Sequence, residues 1–162
     1  MCSIMITPNN QSILLALKTL YRPVCVAKVV PRKEDPTKLD LVSLNDEEFF
    51  KKRNRGVYWM EDSTDIIKTG KCMTKLATKK RDGTVARGGS GGRISGTFSD
   101  YSQVSTDERT KALCYDSAIR DDCRIMFIPS TKGIPPAKLE YNVITTYEIA
   151  MGRKPIGNRG RR

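Results

Sequence analysis

The feature that most limits the fold of this chain is a basic, glycine-rich stretch at residues 79–96, KKRDGTVARGGSGGRISG. It contains six glycines, five basic residues and one acidic residue. Glycine loses more conformational freedom on folding than any other residue, so the stretch cannot supply a packed element of its own. We therefore expect a long mobile loop at residues 79–96.

The rest of the chain fits one domain. With 162 residues, a second core would leave each half near the size at which burial becomes marginal. We expect a single β-rich domain over residues 1–152 and a basic tail over residues 153–162. The predicted fold class is mainly β or α+β, an antiparallel sheet or sandwich with about three short helices.

Periodicity and capping signals predict the individual elements. We expect helices at residues 9–20, 45–55 and 106–120. We expect strands at residues 23–30, 39–44, 57–60, 65–68 and 123–128, the first two forming a hairpin, and a strand or helical turn at 71–78. The aromatic side chains of Tyr58, Trp59 and Phe98 are interpreted mainly as core or sheet residues, and base stacking is the alternative.

Residues 139–150 have the strongest strand pattern in the chain. Five apolar or aromatic residues alternate with polar ones, and the alternation is broken only at Ile144 and Thr145. The apolar set is Leu139, Tyr141, Val143, Tyr147 and Ile149. A period of two predicts a half-buried strand of an antiparallel sheet.

Positive charge is the main indication of function. The formal net charge is +11 and the pI is about 9.6. Three segments carry the excess: residues 51–55, the stretch from Lys68 to Arg93, and residues 153–162. We expect these candidate residues to contact phosphates: Lys51, Lys52, Arg53, Arg55, Lys79, Lys80, Arg81, Arg87, Arg93, Arg153, Lys154, Arg159, Arg161 and Arg162.

Basic side chains gathered on pliable segments favour an extended polyanion as partner, because they can follow a phosphate backbone and release its counterions. Nucleic acid, either RNA or single-stranded DNA, is the expected partner, together with self-association. A solvated basic surface is the alternative for the same charges, and residues 51–55 also suit the basic C-terminus of a helix. A membrane surface is less favoured because no amphipathic basic helix accompanies the charge.

The sequence argues against an enzyme, and we expect no cofactor or metal. Histidine is absent, which removes the side chain best suited to proton transfer near neutral pH. The spacing of the five cysteines favours reduced, buried or half-buried thiols. Two weaker motifs remain: an acidic cluster of Glu61, Asp62 and Asp65, and residues 83–90, which match a P-loop except at its lysine.

Neither a long apolar run nor a leader pattern is present, so we expect an intracellular location, in the cytoplasm or nucleus of a host cell, or in a virion. In organisation, a β-rich core with a basic loop and a basic tail resembles small viral structural proteins. The segments CRIMFIPS and LEYNVITTYEIA resemble the closing strands of a jelly-roll coat protein.

That resemblance implies a coat, nucleocapsid or matrix protein that binds a genome. The alternatives are a monomeric RNA-binding module, such as a silencing suppressor or a ribosome-associated protein, and a metal-dependent nuclease.

Overall fold

The computed structural model of this chain describes residues 10–44, 55–72 and 108–158. These ranges contain three α-helices, five β-strands and a short 3-10 helix at Ile156–Asn158. The helices are α1 (Asn10–Tyr21), α2 (Glu108–Ile119) and α3 (Pro136–Met151). The strands are β1 (Val24–Pro31), β2 (Leu39–Ser43), β3 (Gly56–Glu61), β4 (Ile66–Cys72) and β5 (Arg124–Pro129).

The five strands form one antiparallel sheet in the order β2-β1-β5-β3-β4. Two pairs are hairpins of consecutive strands, β1 with β2 and β3 with β4. β5 lies between the two hairpins and pairs with β1 on one side and β3 on the other. The sheet and the three helices confirm a single α+β domain with an antiparallel sheet.

The sheet is covered on both faces, which explains why β3 is buried along its whole length. Side chains alternate between faces along a strand. Val57 and Trp59 pack with the helices α1 and α3 on one face. Tyr58 and Met60 pack with α2 on the opposite face. Trp59 and Tyr58 are 0% and 3% exposed, so the prediction that these two aromatic residues belong to the core is confirmed.

The prediction of a strand at residues 139–150 is wrong, because this segment is the C-terminal part of α3. Leu139, Val143 and Tyr147 are spaced four residues apart and form the buried face of this helix. Tyr141 and Ile149, which a period of two would place beside them, are 69% and 80% exposed. The apolar residues of this segment therefore fit both a strand period of two and a helical spacing of four. The residues that are buried in the structure are those at the helical spacing.

The ends of α3 have recognisable causes in the sequence. Pro136 occupies its first turn, where the missing N–H removes no helical hydrogen bond. Gly152 ends it in the left-handed conformation with φ of 75°, and its N–H donates to the carbonyl oxygen of Glu148 over 2.8 Å. Because α3 is helical, the segments CRIMFIPS and LEYNVITTYEIA do not form a pair of strands. The resemblance to a jelly-roll therefore does not hold.

The other predicted elements divide into three groups. The helices at 9–20 and 106–120, the hairpin of 23–30 with 39–44, and the strands at 57–60 and 123–128 are confirmed to within a few residues. The strand expected at 65–68 is the first part of β4, which extends to Cys72. The helix expected at 45–55 lies outside the described residues except for Arg55, which directly precedes β3 and is not helical. The loop at 79–96, Phe98 and the P-loop-like residues 83–90 also lie outside the described residues.

No helix within the described ranges is both long and apolar enough to cross a membrane.

Candidate nucleic-acid interface

The strand register brings several chain segments together at one end of the sheet. Gly56, the first residue of β3, lies opposite Cys72, the last residue of β4. On its other side it lies opposite Pro129, the last residue of β5. The N–H of Ser130 donates to the carbonyl oxygen of Arg55 over 2.9 Å, which ties the turn after β5 to the residue before β3. Neighbouring strands are about 4.8 Å apart, so these three chain segments leave the sheet side by side.

Basic side chains collect at this end of the sheet, which we call the basic end. Its members are Arg55, Lys71, Lys132 and Lys138. Arg55, Lys132 and Lys138 are exposed, and Lys71 is half-buried. None of the ion pairs formed within the described ranges involves Arg55, Lys132 or Lys138. Residues 129–139 contain no acidic residue, so the charge of this turn is uncompensated locally.

The N-terminus of α3 adds to the positive potential of the basic end. No side chain caps the helix there, and its first turn contains no acidic residue. The first N–H groups of a helix carry partial positive charge, and a cation beside them is unfavourable for the helix itself. Lys138 in this turn therefore does not stabilise the helix through its dipole. Its positive charge instead favours the approach of an anion.

The opposite end of the sheet has the reverse character, and we call it the acidic end. It comprises the turns before β4 and before β5, and its members are Glu61, Asp62, Asp65, Asp121 and Asp122. The two turns are joined by the hydroxyl of Ser63, which donates to Asp122 over 3.0 Å. Ion pairs from this same chain neutralise these carboxylates. Within the described ranges, the carboxylates of the acidic end are therefore paired, whereas Arg55, Lys132 and Lys138 at the basic end take part in none of the ion pairs.

Glu61 is buried at 5% exposure and has two partners. Its Oε2 lies 2.8 Å from Nζ of Lys18 on α1, and its Oε1 accepts a hydrogen bond of 2.8 Å from the indole N–H of Trp59. A buried carboxylate that lost these partners would be strongly destabilising. Glu61 is therefore committed to holding α1 on the sheet.

Asp65 belongs to a closed set of three side chains. Arg153 donates from Nη2 to Oδ2 of Asp65 over 2.7 Å and from Nη1 to the hydroxyl oxygen of Tyr147 over 3.0 Å. The Tyr147 hydroxyl in turn donates to Oδ1 of Asp65. The hydrogen bond to Asp65 raises the pKa of Arg153 above its ordinary value. Burial is the main cause that raises the pKa of Tyr147 above its usual 10, and the hydrogen bond to Asp65 raises it further.

The acidic cluster of Glu61, Asp62 and Asp65 is used for structure. Asp62 Oδ1 accepts hydrogen bonds from the N–H groups of Thr64 and Asp65 over 2.8 and 2.9 Å, which closes the turn between β3 and β4. The residues that the structure describes contain no group of three or more cysteine, aspartate or glutamate side chains that could hold a metal ion.

Four of the five cysteines are described, and all four are free thiols, as expected. Cys72, Cys114 and Cys123 are buried, and Cys25 is half-buried. Burial raises the pKa of Cys123 to about 11 and raises the pKa values of Cys25 and Cys114 above their usual 9.0. Thiols with raised pKa are poor nucleophiles at neutral pH, so these cysteines act as core side chains.

Three of the predicted contact residues lie in described parts of the chain. Arg55 is exposed at the basic end, Arg153 is held by Asp65 and Tyr147, and Lys154 is half-buried beside it in sequence. The remaining candidates lie outside the described residues: Lys51, Lys52, Arg53, Lys79, Lys80, Arg81, Arg87, Arg93, Arg159, Arg161 and Arg162.

Lys71, Lys132 and Lys138 were not among the predicted contacts. Lys132 and Lys138 stand singly in sequence, so no local run of charge marks them. Only the pairing of β3 with β5 brings them to the same end of the sheet as Arg55. A sequence signal was nevertheless present for Lys138, which follows two prolines at a helix start without any acidic residue.

Comparison with protein-family models, with curated proteins and with solved structures gives no match.

Proposed function

We propose that this protein binds single-stranded nucleic acid, RNA or DNA, through its basic end. The observation that carries the proposal is that Arg55 and Cys72, the described residues that adjoin two of the basic segments of the sequence, converge at that end. Residues 51–54 lead into Arg55, and the stretch from Lys75 to Arg93 follows Cys72, which is opposite Gly56. The third segment, residues 159–162, follows Asn158, whose side chain bonds the backbone of Thr69 in the middle of β4, three residues from either end of the strand.

Strand geometry gives the scale of this convergence. Three residues of strand span about 10 Å, and adjacent strands are about 4.8 Å apart. The three segments therefore join the described fold within about 15 Å of one another, a span of two or three nucleotides of extended single strand. Together, residues 51–55, 73–93 and 159–162 contain 13 basic residues and one acidic residue.

The expected recognition is of phosphate and carries little base preference. The arginines of these segments can bind phosphate oxygens through two parallel hydrogen bonds, and the lysines act as point charges. Tyr58 and Trp59 are buried in the core and do not offer stacking surfaces for bases. Binding should therefore weaken steeply with salt.

A pair of matched charge variants tests the proposal. Lys132→Gln with Lys138→Gln removes two charges at the basic end, and Lys33→Gln with Lys38→Gln removes two exposed charges from the β1–β2 turn, near the acidic end. We expect the first pair to weaken binding of a labelled oligouridylate and to lower the slope of log K against log salt by about 1.4, whereas the second leaves both nearly unchanged. Equal effects of the two pairs would contradict a localised interface.

Two biological roles are compatible with such binding, a genome-associated structural protein and a monomeric RNA-binding module. The first requires self-assembly in addition to nucleic-acid binding. Light scattering of protein purified with and without nuclease separates them. Particle-sized species that contain nucleic acid support the structural role, and a monomer that binds RNA supports the module.

A further inference from the structure

α3 presents an exposed aromatic ring close to the basic end. Tyr141 is 69% exposed and lies one helical turn after Lys138, which is also exposed. Among the aromatic residues that the structure describes, Tyr141 is the one whose side chain is mainly exposed, and it is therefore the candidate for contact with a ligand. The others are buried or half-buried: Tyr21, Tyr58, Trp59, Tyr115, Phe127 and Tyr147.

The exposure of Tyr141 follows from the packing of α3. The buried face of this helix contains Leu139, Val143 and Tyr147. A helix turns by about 100° per residue, so Tyr141 lies about 160° around the helix from Val143, on the side away from the sheet. Most of the apolar surface of the ring stays in water, and tyrosine is a poorer helix former than alanine. Neither burial nor helix propensity accounts for an aromatic side chain at this position.

Helix geometry directs the ring of Tyr141 towards the basic end. Long side chains of an α-helix lean towards its N-terminus and cover the preceding turn. For Tyr141 that turn contains Ala137 and Lys138, both of them exposed. The Cβ atoms of Lys138 and Tyr141 are about 5–6 Å apart at this spacing. The methyl group of Ala137 is too small to cover the ring, so the ring stays open beside the ammonium group of Lys138.

The charge around Tyr141 favours a nucleic-acid strand as the ligand of the ring. Lys138 and the uncapped N-terminus of α3 supply positive charge on the side towards which the ring leans. Glu140 is half-buried and lies about 100° around the helix from Tyr141. Glu148 is two turns further along α3, about 10 Å away in the direction of the acidic end. A ring beside a cation matches the pairing of a base with its phosphate.

A ring of this kind distinguishes single strands from duplexes. The bases of a duplex are stacked on one another and present only their edges in the grooves. The bases of a single strand expose their faces, which can stack on an aromatic side chain. Stacking accepts every base, because each base has such a face, so it adds affinity without adding sequence preference.

We propose that Tyr141 is a base-stacking residue of the basic end and that it makes this interface selective for single-stranded over double-stranded nucleic acid. One base stacks on the ring of Tyr141 while a neighbouring phosphate lies beside Lys138. This inference rests on the proposed function.

Variants of Tyr141 and two ligands test the inference in the full-length chain. The ligands are a labelled oligouridylate and an abasic strand of the same length, which keeps the phosphates and lacks the bases. At about 0.1 M salt, we expect Tyr141→Ala to weaken binding of the oligouridylate about tenfold and binding of the abasic strand less than about twofold. Tyr141→Phe keeps the ring and should bind both ligands like the parent. Ile149→Ala removes another exposed side chain of α3, 80% exposed in the parent, and is the matched control without effect on either ligand.

Two further measurements separate stacking from charge. Tyr141→Ala removes no positive charge, so it should leave the slope of log K against log salt unchanged, whereas Lys132→Gln with Lys138→Gln lowers the slope by about 1.4. The parent should bind the oligouridylate more tightly than an RNA duplex of the same length, and Tyr141→Ala should reduce this preference about tenfold. If Tyr141→Ala does not fold, Tyr141→Leu keeps the apolar bulk without a ring and replaces it, with the same expected results.

Unchanged binding of the oligouridylate by Tyr141→Ala would overturn the inference. Equal weakening with both ligands would also overturn it, because the ring would then act without any contact to a base. A parent dimer that dissociates on substitution of Tyr141, measured by sedimentation, would assign the ring to a protein interface instead. The proposed function survives each of these results if Lys132→Gln with Lys138→Gln still weakens binding, and it fails if that pair binds like the parent.

Discussion

Two alanine substitutions on α3 distinguish helical from strand packing of residues 139–150. Val143 is fully buried, and truncation to alanine removes about two methylene equivalents worth about 0.8 kcal/mol each. The cavity left behind adds to this, so Val143→Ala should lower the free energy of unfolding by about 2 to 3 kcal/mol. Ile149 is 80% exposed, so Ile149→Ala loses about 0.5 kcal/mol of burial and regains a similar amount through helix propensity.

Urea denaturation measures both effects. With an m-value of about 2 kcal/mol/M, Val143→Ala should lower the midpoint by about 1 to 1.5 M, and Ile149→Ala should leave it nearly unchanged. A strand with period two would bury both residues on the same face. Comparable destabilisation by the two substitutions would therefore refute the helical packing of α3 and restore the strand.

Further predictions concern the core and the acidic end. Tyr147→Phe removes the hydroxyl that donates to Asp65 and should cost about 1 to 2 kcal/mol in urea denaturation; no loss would contradict the hydrogen bond. Burial raises the pKa of Cys123 in the folded state to about 11. The contribution of the protonated thiol to the free energy of unfolding is therefore fully present below about pH 9 and is lost as the pH rises towards 11. Stability of the parent should thus fall by up to about 2 kcal/mol more than that of Cys123→Ala over this range, and parallel curves would contradict the burial. Gly70→Ala places a Cβ against the ring of Tyr58 and should cost about 1 to 3 kcal/mol by thermal unfolding, whereas an unchanged midpoint would contradict that packing.

The parts of the fold that could be predicted from sequence are those with a single consistent pattern. In α1, Ile13, Leu14 and Leu17 form one apolar face at helical spacing, and the helix ends before Pro23. Both features of the sequence indicate a helix, and no competing strand pattern is present. α3 was missed because its apolar residues suit both a period of two and a spacing of four. Pro136 at its start and Gly152 after its end were the local signals that favoured a helix.

The candidate site could be predicted only in part, because sequence shows how charge is distributed along the chain but not where the strands bring it together. The basic run ending at Arg55 was visible in sequence. Its proximity to Lys132 depends on Gly56 lying opposite Pro129, a register that no local pattern specifies. Likewise, Arg153 stands in a basic segment, yet its partner Asp65 is 88 residues away.

The central claim, that nucleic acid binds at the basic end, is tested most directly by mapping backbone amide chemical shifts while a short oligouridylate is added to isotope-labelled protein. We expect the largest changes within the described residues at Arg55, Lys71, Cys72, residues 130–134, Ala137 and Lys138, with little change in the β1–β2 turn or the acidic end. Changes centred on the acidic end or the β1–β2 turn, or no changes at low salt, would contradict the claim.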